Sequence, residues 1–323
     1  MTGERDFFWV NVETQAAPHG TVPNGQMYVE HLHPSEATRP YPVVLIHGGG
    51  GQGLDWLGTP DGRPGWAQGL VKAGFEVYVI DRPGHGRSPY HPDLLGPMFP
   101  PPTYEFLQDI FTPATDSPPG EGHSQWPGGR EPGDEAMDQF IASAGPMRAD
   151  MTAAHDLEQR CLAELLDRTG PSIVFSHSAG GPAGFLAADA RPEKVVALLA
   201  IEPMGPPFME RPEMGLSLKW GLAAAPLQFD PPAADPEELD TSGGRRLARL
   251  SKVPIVVVTA PHSKVGLADP ATVAYLQSAG CEVSHLRLEE SGLKGNGHGM
   301  MIERNSDEVL AVLVSRLETL AVA

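Results

Sequence analysis

The stretch 173–181 constrains the fold of this 323-residue chain more than any other. It reads Ile-Val-Phe-Ser-His-Ser-Ala-Gly-Gly, so an apolar run ends abruptly in small residues, and a helical pattern over 183–190 follows at once. Small residues suit a tight strand-to-helix turn because the backbone is crowded there. Such a turn, with the pattern G-x-S-x-G, presents a nucleophilic serine at the top of a sheet. Ser176 stands at the first position of that pattern, so the match is imperfect. Ser178 is the candidate nucleophile, and a serine-rich turn without chemistry is the alternative.

Further apolar runs have the length and composition of strands, and helical patterns separate several of them. The predicted strands of the core sheet span 42–46, 75–80, 173–177, 195–201, 254–259 and 281–288, behind an amino-terminal pair at 7–12 and 26–33. The predicted helices span 66–73, 151–168, 183–190, 270–279 and 306–320. Continuous Val, Ile and Leu runs that alternate with helices indicate an α/β fold with a mostly parallel central sheet covered on both faces.

In such a sheet the chemistry lies beyond the carboxyl ends of the strands. His47, Asp81, Ser178 and Glu202 stand at such ends. His298 lies in a glycine-rich loop between the last strand and the closing helix, and such a loop can bring a histidine over a distant serine. The order serine, acid, histidine follows the hydrolase template.

These residues predict a serine hydrolase. His298 would take the proton of the Ser178 hydroxyl, and Glu202 would orient the imidazole and stabilise its charged form. Asp269 is the competing acid, because it follows the strand 254–259 by a short loop. It also precedes a proline at the start of a helix, which is typical of an ordinary N-cap. We therefore favour Glu202.

The chain resembles the α/β-hydrolases, and within that fold it is similar to bacterial esterases that cleave esters of bulky halogenated cyclic compounds. The residues that carry the resemblance are His47-Gly48, Thr59-Pro60-Asp61-Gly62-Arg63, Gly65-Trp66, Val79-Ile80-Asp81, Gly86-Arg87-Ser88, Ser176-His177-Ser178, Glu202-Pro203, and Asn296 with His298, Met300 and Met301. It spans roughly residues 5 to 320. The resemblance implies that the acid follows the strand after the nucleophile, which again makes it Glu202. The four-glycine run and the proline-rich middle depart from the family pattern.

Cleavage of an ester creates an oxyanion that two backbone N–H groups should meet. The residue after the nucleophile, Ala179, supplies one, and the glycine run after His47 supplies the other. We favour Gly49 over Gly50 for that donor and expect His47 to hold the loop by hydrogen bonds.

The same residues support other functions less well than ester hydrolysis. The run 48–53 satisfies G-x-G-x-x-G after a strand, but the glycines and prolines over 55–65 predict that no helix starts there, and a dinucleotide phosphate needs that helix N-terminus. A dehalogenase or epoxide hydrolase would have Asp at position 178. A lactonase or a thioesterase would use the same residues as an esterase, and a non-catalytic small-ligand receptor of this fold would bind without turnover. No cofactor is expected.

We expect a single domain over 1–323, with two proline-rich insertions at 89–146 and 203–250 that cover the site. The density of proline and glycine in the first predicts that it lacks regular core structure. Its aromatic residues predict a pocket wall for bulky or cyclic apolar substrates. Alternatively, these aromatic residues only anchor a surface loop to the protein.

Composition limits the partners. A formal net charge of −18 disfavours nucleic acid and anionic membranes. No signal peptide or apolar run of membrane-spanning length is visible, so a cytoplasmic location is expected, or a secreted one if a leader has been removed. The expected partner is a small-molecule ester. The sequence does not decide between a monomer and a homodimer. The two cysteines are expected to be buried free thiols. His31 and His33 share a strand face, but the sequence offers them no evident third ligand, so no metal site is predicted.

Overall fold

The computed structural model describes residues 4–114, 122–239 and 244–320. The strands are β1 (Arg5–Val10), β2 (Glu13–Ala17), β3 (Gly20–Asn24), β4 (Met27–Leu32), β5 (Val43–Ile46), β6 (Val77–Asp81), β7 (Ser172–His177), β8 (Val195–Ile201), β9 (Glu210–Arg211), β10 (Leu216–Ser217), β11 (Phe229–Asp230), β12 (Arg246–Leu247), β13 (Ile255–Thr259) and β14 (Val283–Arg287). The helices are α1 (Leu54–Leu57), α2 (Trp66–Lys72), α3 (Pro92–Leu95), α4 (Tyr104–Phe111), α5 (Glu135–Ser143), α6 (Met151–Thr169), α7 (Gly181–Ala190), α8 (Asp269–Ser278) and α9 (Ser306–Thr319).

Eight of these strands form one sheet, in the order β1-β4-β6-β5-β7-β8-β13-β14. The six strands from β6 to β14 pair in parallel, while β4 pairs antiparallel with both β1 and β6. The predicted α/β class with a mostly parallel sheet is confirmed. A short hairpin of β2 and β3 lies between the two amino-terminal strands, and the sequence analysis missed it.

The parallel strands are buried on both faces, which is why their sequences are continuous apolar runs rather than alternating ones. Successive residues of a strand point to opposite faces. On β5, Val44 and Ile46 pack into the core cluster that includes α6 and α7, whereas Val43 and Leu45 pack into the cluster that includes α2 and α9.

The first proline-rich segment contains more regular structure than predicted. Helices α3, α4 and α5 lie within 89–146, and Leu107 of α4 and Met137 of α5 pack in the core, so the prediction that this segment lacks regular core structure is wrong. No proline stands inside α4 or α5, and each of these two helices has a capped start: Thr103 accepts a hydrogen bond from the N–H of Phe106, and Asp134 accepts one from the N–H of Met137. The second segment forms short strand pairs and single helical turns. Residues 115–121 of the first insertion and 240–243 of the second lie outside the described part of the chain.

Cys161 and Cys281 are both buried free thiols, as expected. Among the described residues, no helix is long and apolar enough to cross a membrane.

Candidate active site

Ser178 stands in a strained turn between β7 and α7. Its backbone has φ 53°, a left-handed conformation that residues other than glycine adopt rarely. The turn is too crowded for larger residues: a Cβ atom on Gly180 would lie 2.2 Å from the carbonyl oxygen of His47, and one on Gly184 would lie 2.4 Å from the Ser176 hydroxyl. Small residues at 176, 180 and 184 therefore let the helix start against the sheet.

The structure brings together the three candidate catalytic side chains, which come from three different loops. Nε2 of His298 lies 2.9 Å from Oγ of Ser178, and its Nδ1 lies 2.5 Å from Oε2 of Glu202. Both His298 and Glu202 are buried. Burial lowers the pKa of His298 well below its ordinary value of 6.5, so the ring is neutral near pH 7. A neutral ring that donates from Nδ1 has Nε2 available to accept a proton from the serine.

Glu202 is held by two donors that the sequence analysis did not identify. Its carboxylate accepts hydrogen bonds from the N–H of Ala260, at 2.7 Å, and from the hydroxyl of Ser263, at 2.6 Å. Its own backbone is strained, with φ 42°. Burial raises the pKa of this carboxyl, and the hydrogen bonds from Ser263 and Ala260 oppose that rise. Nothing in the local sequence marks Ser263, because its role depends on the loop after β13 folding back over β8.

Asp269, the competing acid, makes a different contact. Its Oδ2 accepts a hydrogen bond from the hydroxyl of Thr259 at 2.5 Å, and burial raises the pKa of its carboxyl to about 8. The prediction that Asp269 is an N-cap is wrong. It is the first residue of α8, Ala268 occupies the cap position, and no side chain caps the helix. The Asp269 carboxyl instead bonds to the hydroxyl of Thr259 at the end of β13.

The loop that carries His298 is fixed by buried polar contacts. Glu303 is fully buried and accepts hydrogen bonds from the N–H of Gly297, the amide of Asn296 and the ring of His123, at 2.8, 2.7 and 2.6 Å. His177, the middle residue of the Ser-His-Ser turn, donates from Nε2 to the carbonyl of His298 at 3.0 Å. The nucleophile turn and the histidine loop are therefore tied to each other directly.

The Thr-Pro-Asp-Gly-Arg segment, 59–63, also binds the loop that carries His298. Thr59 and Asp61 hold the backbone and the guanidinium of Arg63 at 2.9 and 2.8 Å. The guanidinium in turn donates to the carbonyl of Glu303 at 2.8 Å and to that of Arg304 at 3.1 Å. The segment thus acts on the histidine loop rather than on a ligand.

The two predicted oxyanion donors are neighbours. A Cβ atom on Gly49 would lie 3.0 Å from Cβ of Ala179 and 2.7 Å from Sδ of Met147. A side chain at position 49 would therefore displace Met147 and crowd Ala179. Gly50 has φ 67°, and its carbonyl accepts a hydrogen bond from the N–H of Gly145 at 2.7 Å.

The glycine run packs against the serine turn and is bonded to the turn after β6. Asp81 accepts hydrogen bonds from the N–H of Gly53 and the N–H of Arg87, at 2.6 and 2.7 Å, and so ties the glycine run to the next turn. A single helical turn, α1, does follow the glycines, contrary to the prediction that no helix starts there. However, the run lies against the serine turn, since a Cβ atom on Gly48 would lie 3.2 Å from Cβ of Ser178.

An aromatic cluster from the first proline-rich segment lies beside the histidine. The ring of Phe111 is 5.1 Å from that of His298, centre to centre, and packs at 4.8 Å on the ring of Phe140. Trp126 lies 5.5 Å from Phe140 in turn. On the same helix as Phe111, the exposed side chain of Asp109 forms an ion pair with Lys264.

Comparison with known proteins agrees with this architecture. The sequence model of the alpha/beta hydrolase fold matches residues 41–230. The probable secreted lipase phiG of a fungal species (strain ATCC 74256) is 34% identical over 320 residues, which cover 93% of this chain and 87% of that protein. A solved structure of a bacterial esterase superposes with a TM-score of 0.70 at 23% identity, over 100% of this chain and 97% of that one. This chain belongs to the alpha/beta-hydrolase fold family.

Proposed function

We propose that the protein hydrolyses carboxylic esters through an acyl-enzyme intermediate on Ser178. The observation that carries this proposal is the continuous hydrogen-bonded series from Ser178 through His298 to Glu202, at the carboxyl edge of the sheet. The names of the fungal relative, a lipase, and of the bacterial esterase that shares the fold support the same activity.

The first half of the reaction forms the acyl-enzyme. Oγ of Ser178 attacks the ester carbonyl while Nε2 of His298 takes the hydroxyl proton. The imidazolium then gives that proton to the alcohol oxygen as the ester C–O bond breaks, and the alcohol leaves. Glu202 stabilises the charged ring without taking its proton.

The second half releases the acid. A water molecule loses a proton to Nε2 of His298 and attacks the acyl carbonyl, and the Ser178 oxygen leaves with that proton. In both halves the negative oxygen of the tetrahedral intermediate meets the N–H groups of Gly49 and Ala179. Every proton is returned, so the two halves balance with the ester, one water molecule and these side chains.

The two proline-rich segments, 89–146 and 203–250, act in this proposal as covers over one hydrolase domain. Phe111 of the first segment contacts the histidine ring, and Met147, directly after that segment, lies against Gly49, so both would touch a bound ester. Methionine and aromatic side chains offer adaptable apolar surface. This lining favours bulky or cyclic apolar esters as substrates. The cytoplasmic location stays a prediction, and the name of the fungal relative, a secreted lipase, points to the alternative.

The serine is tested first. We expect Ser178→Ala to lower ester turnover by a factor on the order of 10⁴ or more while the fold survives, because the nucleophile is lost and little else changes. Turnover of a small acetate ester and the thermal melt are measured together, and a fluorophosphonate should label wild type at Ser178 only. Turnover near wild type in the variant, or labelling elsewhere, would contradict the mechanism.

The two carboxyls are tested as a matched pair. Glu202→Gln keeps the shape but removes the charge that stabilises protonated His298, so we expect kcat to fall by roughly 10²–10⁴ with KM little changed. Asp269→Asn should change kcat by less than about tenfold, because its carboxyl bonds to Thr259 instead of the histidine. If the Asp269 variant is inactive and the Glu202 variant active, the acid has been assigned wrongly.

The cover is tested with two phenylalanines of α4. Phe111→Ala should lower kcat/KM for cyclohexyl or aryl-ring esters more than for a small acetate, because Phe111 packs beside the reacting histidine. Phe106 on the same helix is 45% exposed, so Phe106→Ala is the control and should leave the preference unchanged. An equal loss on every ester in Phe111→Ala would indicate that Phe111 serves folding rather than substrate choice.

A further inference from the structure

The peptide group between Gly48 and Gly49 is held from its carbonyl side. The Gly48 carbonyl accepts a hydrogen bond from Nη2 of Arg82 at 2.8 Å and another from Nδ1 of His47 at 2.9 Å. In a trans peptide the C=O and the following N–H point in opposite directions. The N–H of Gly49 therefore points away from Arg82.

The second peptide of the proposed oxyanion hole is fixed in the same way. The Ser178 carbonyl accepts a hydrogen bond from the N–H of Met204 at 2.8 Å, so the N–H of Ala179 points away from Met204. Backbone atoms hold this peptide. The glycine peptide differs, because it depends on two side chains.

Arg82 acts on the Gly48 carbonyl by two routes. Its guanidinium donates to the carbonyl directly, and its backbone N–H donates to Nε2 of His47 at 2.9 Å. Since Nε2 accepts, the proton of the neutral imidazole resides on Nδ1, which is the second donor to Gly48. The guanidinium is anchored by Glu158 at 3.1 Å, and both of these charged side chains are buried.

We propose that Arg82 is a positioning residue for ester hydrolysis, which holds the Gly48–Gly49 peptide so that the Gly49 N–H meets the oxyanion. This inference rests on the proposed function. Four consecutive glycines, 48–51, would otherwise leave this loop a wide choice of conformations. A donor stabilises a developing charge most when it needs no reorganisation during the reaction.

The test removes the arginine without leaving an unpaired buried charge. The double variant Arg82→Met with Glu158→Leu replaces the ion pair by apolar side chains, a change that proteins often tolerate. Arg148→Met is the matched control, because Arg148 is also buried near Ala179 but donates to the carbonyls of Leu95 and Ala153 instead. For each variant kcat and KM on a small acetate ester, Ki for phenylboronic acid and the thermal melt are measured.

We expect the double variant to fold and to lose roughly 10- to 100-fold in kcat, with KM little changed and Ki raised by a similar factor. The control should match wild type. A folded double variant with the kcat and Ki of wild type would overturn the proposal, as would an equal loss in Arg148→Met. Boronate binding that disappears in Ser178→Ala tests the proposed function separately from this result.

Arg82→Lys is the second variant. Lysine keeps the positive charge beside Glu158 but lacks the planar fork that reaches the carbonyl and the carboxylate together. We expect kcat to stay low. Full recovery by lysine would mean that charge alone is needed, which contradicts a positioning role.

A second, independent observation concerns the sheet edge. His31 and His33 share one face of β4, and Asp6 is the direct cross-strand partner of His31 on β1. Oxygens of Asp6 lie 3.6 Å from Nδ1 of His31 and 3.0 Å from Nε2 of His33, and one donor atom from each residue lies within 4.8 Å of the others. Asp6 is thus the third donor that the sequence analysis did not find.

We propose that Asp6, His31 and His33 bind a divalent transition metal such as Zn²⁺, with water as the fourth ligand, and so clasp β1 to β4. Zinc ligands at about 2.1 Å lie roughly 3.4 Å apart in a tetrahedral site. The separations between Asp6 and the two histidines, 3.6 and 3.0 Å, lie on either side of that value.

The test is titration of ZnCl₂ into metal-free full-length protein by calorimetry. We expect one site in wild type, at least tenfold weaker binding in His33→Ala, and a zinc-dependent rise in Tm that this variant lacks. His19→Ala, an exposed histidine in the turn between β2 and β3, is the control and should bind as wild type does. Equal affinity in His33→Ala and wild type, or no binding in either, would overturn the proposal.

Discussion

The parallel pairing of the central strands is the interaction on which the candidate site depends. Ile46 of β5 pairs with Ser176, His177 of β7 with Ile201, and Ile201 of β8 with Val258, so these strands end at nearly the same level. The glycine run, the serine turn and the Glu202 turn therefore begin side by side at one edge of the sheet. A one-residue slip in any of these pairings would move every side chain of that strand to the other face of the sheet, and so from one core cluster to the other, which is why the register is strongly specified.

Buried hydrogen bonds then hold the loop that carries His298 in place against the serine turn. The Glu303 carboxylate accepts hydrogen bonds from three donors in and around the loop of His298. Arg63 in turn donates to the backbone carbonyl of Glu303. A buried polar group left without its partner bears the full cost of desolvation, about 1–3 kcal/mol, so each contact resists displacement. The loop that carries His298 is rich in glycine, and its order comes from these contacts rather than from its own conformational preference.

Two of the four residues other than glycine that have positive φ in the described part of the chain stand at the candidate site; the other two are Asn11 and Phe208. Ser178 and Glu202 both adopt positive φ, and each follows directly on a fully paired strand. Such conformations cost of order 1–3 kcal/mol each and persist where the surrounding structure determines them. The sheet supplies that support here. The strain turns the serine hydroxyl and the carboxylate toward the same imidazole.

The sequence alone determined the fold class, the serine turn and the location of His298 after the last strand, because these follow from apolar periodicity and from the small residues that tight turns demand. It did not determine helices α4 and α5 of the 89–146 segment, because the many prolines of that segment stand outside these two helices. Only the tertiary structure decided which carboxyl reaches the histidine. Glu202 and His298 are 96 positions apart, and both Glu202 and Asp269 follow strands. The choice depends on the direction of each side chain after its turn and on partners such as Ser263 and Thr259. Those contacts form between distant segments, and local sequence does not encode them.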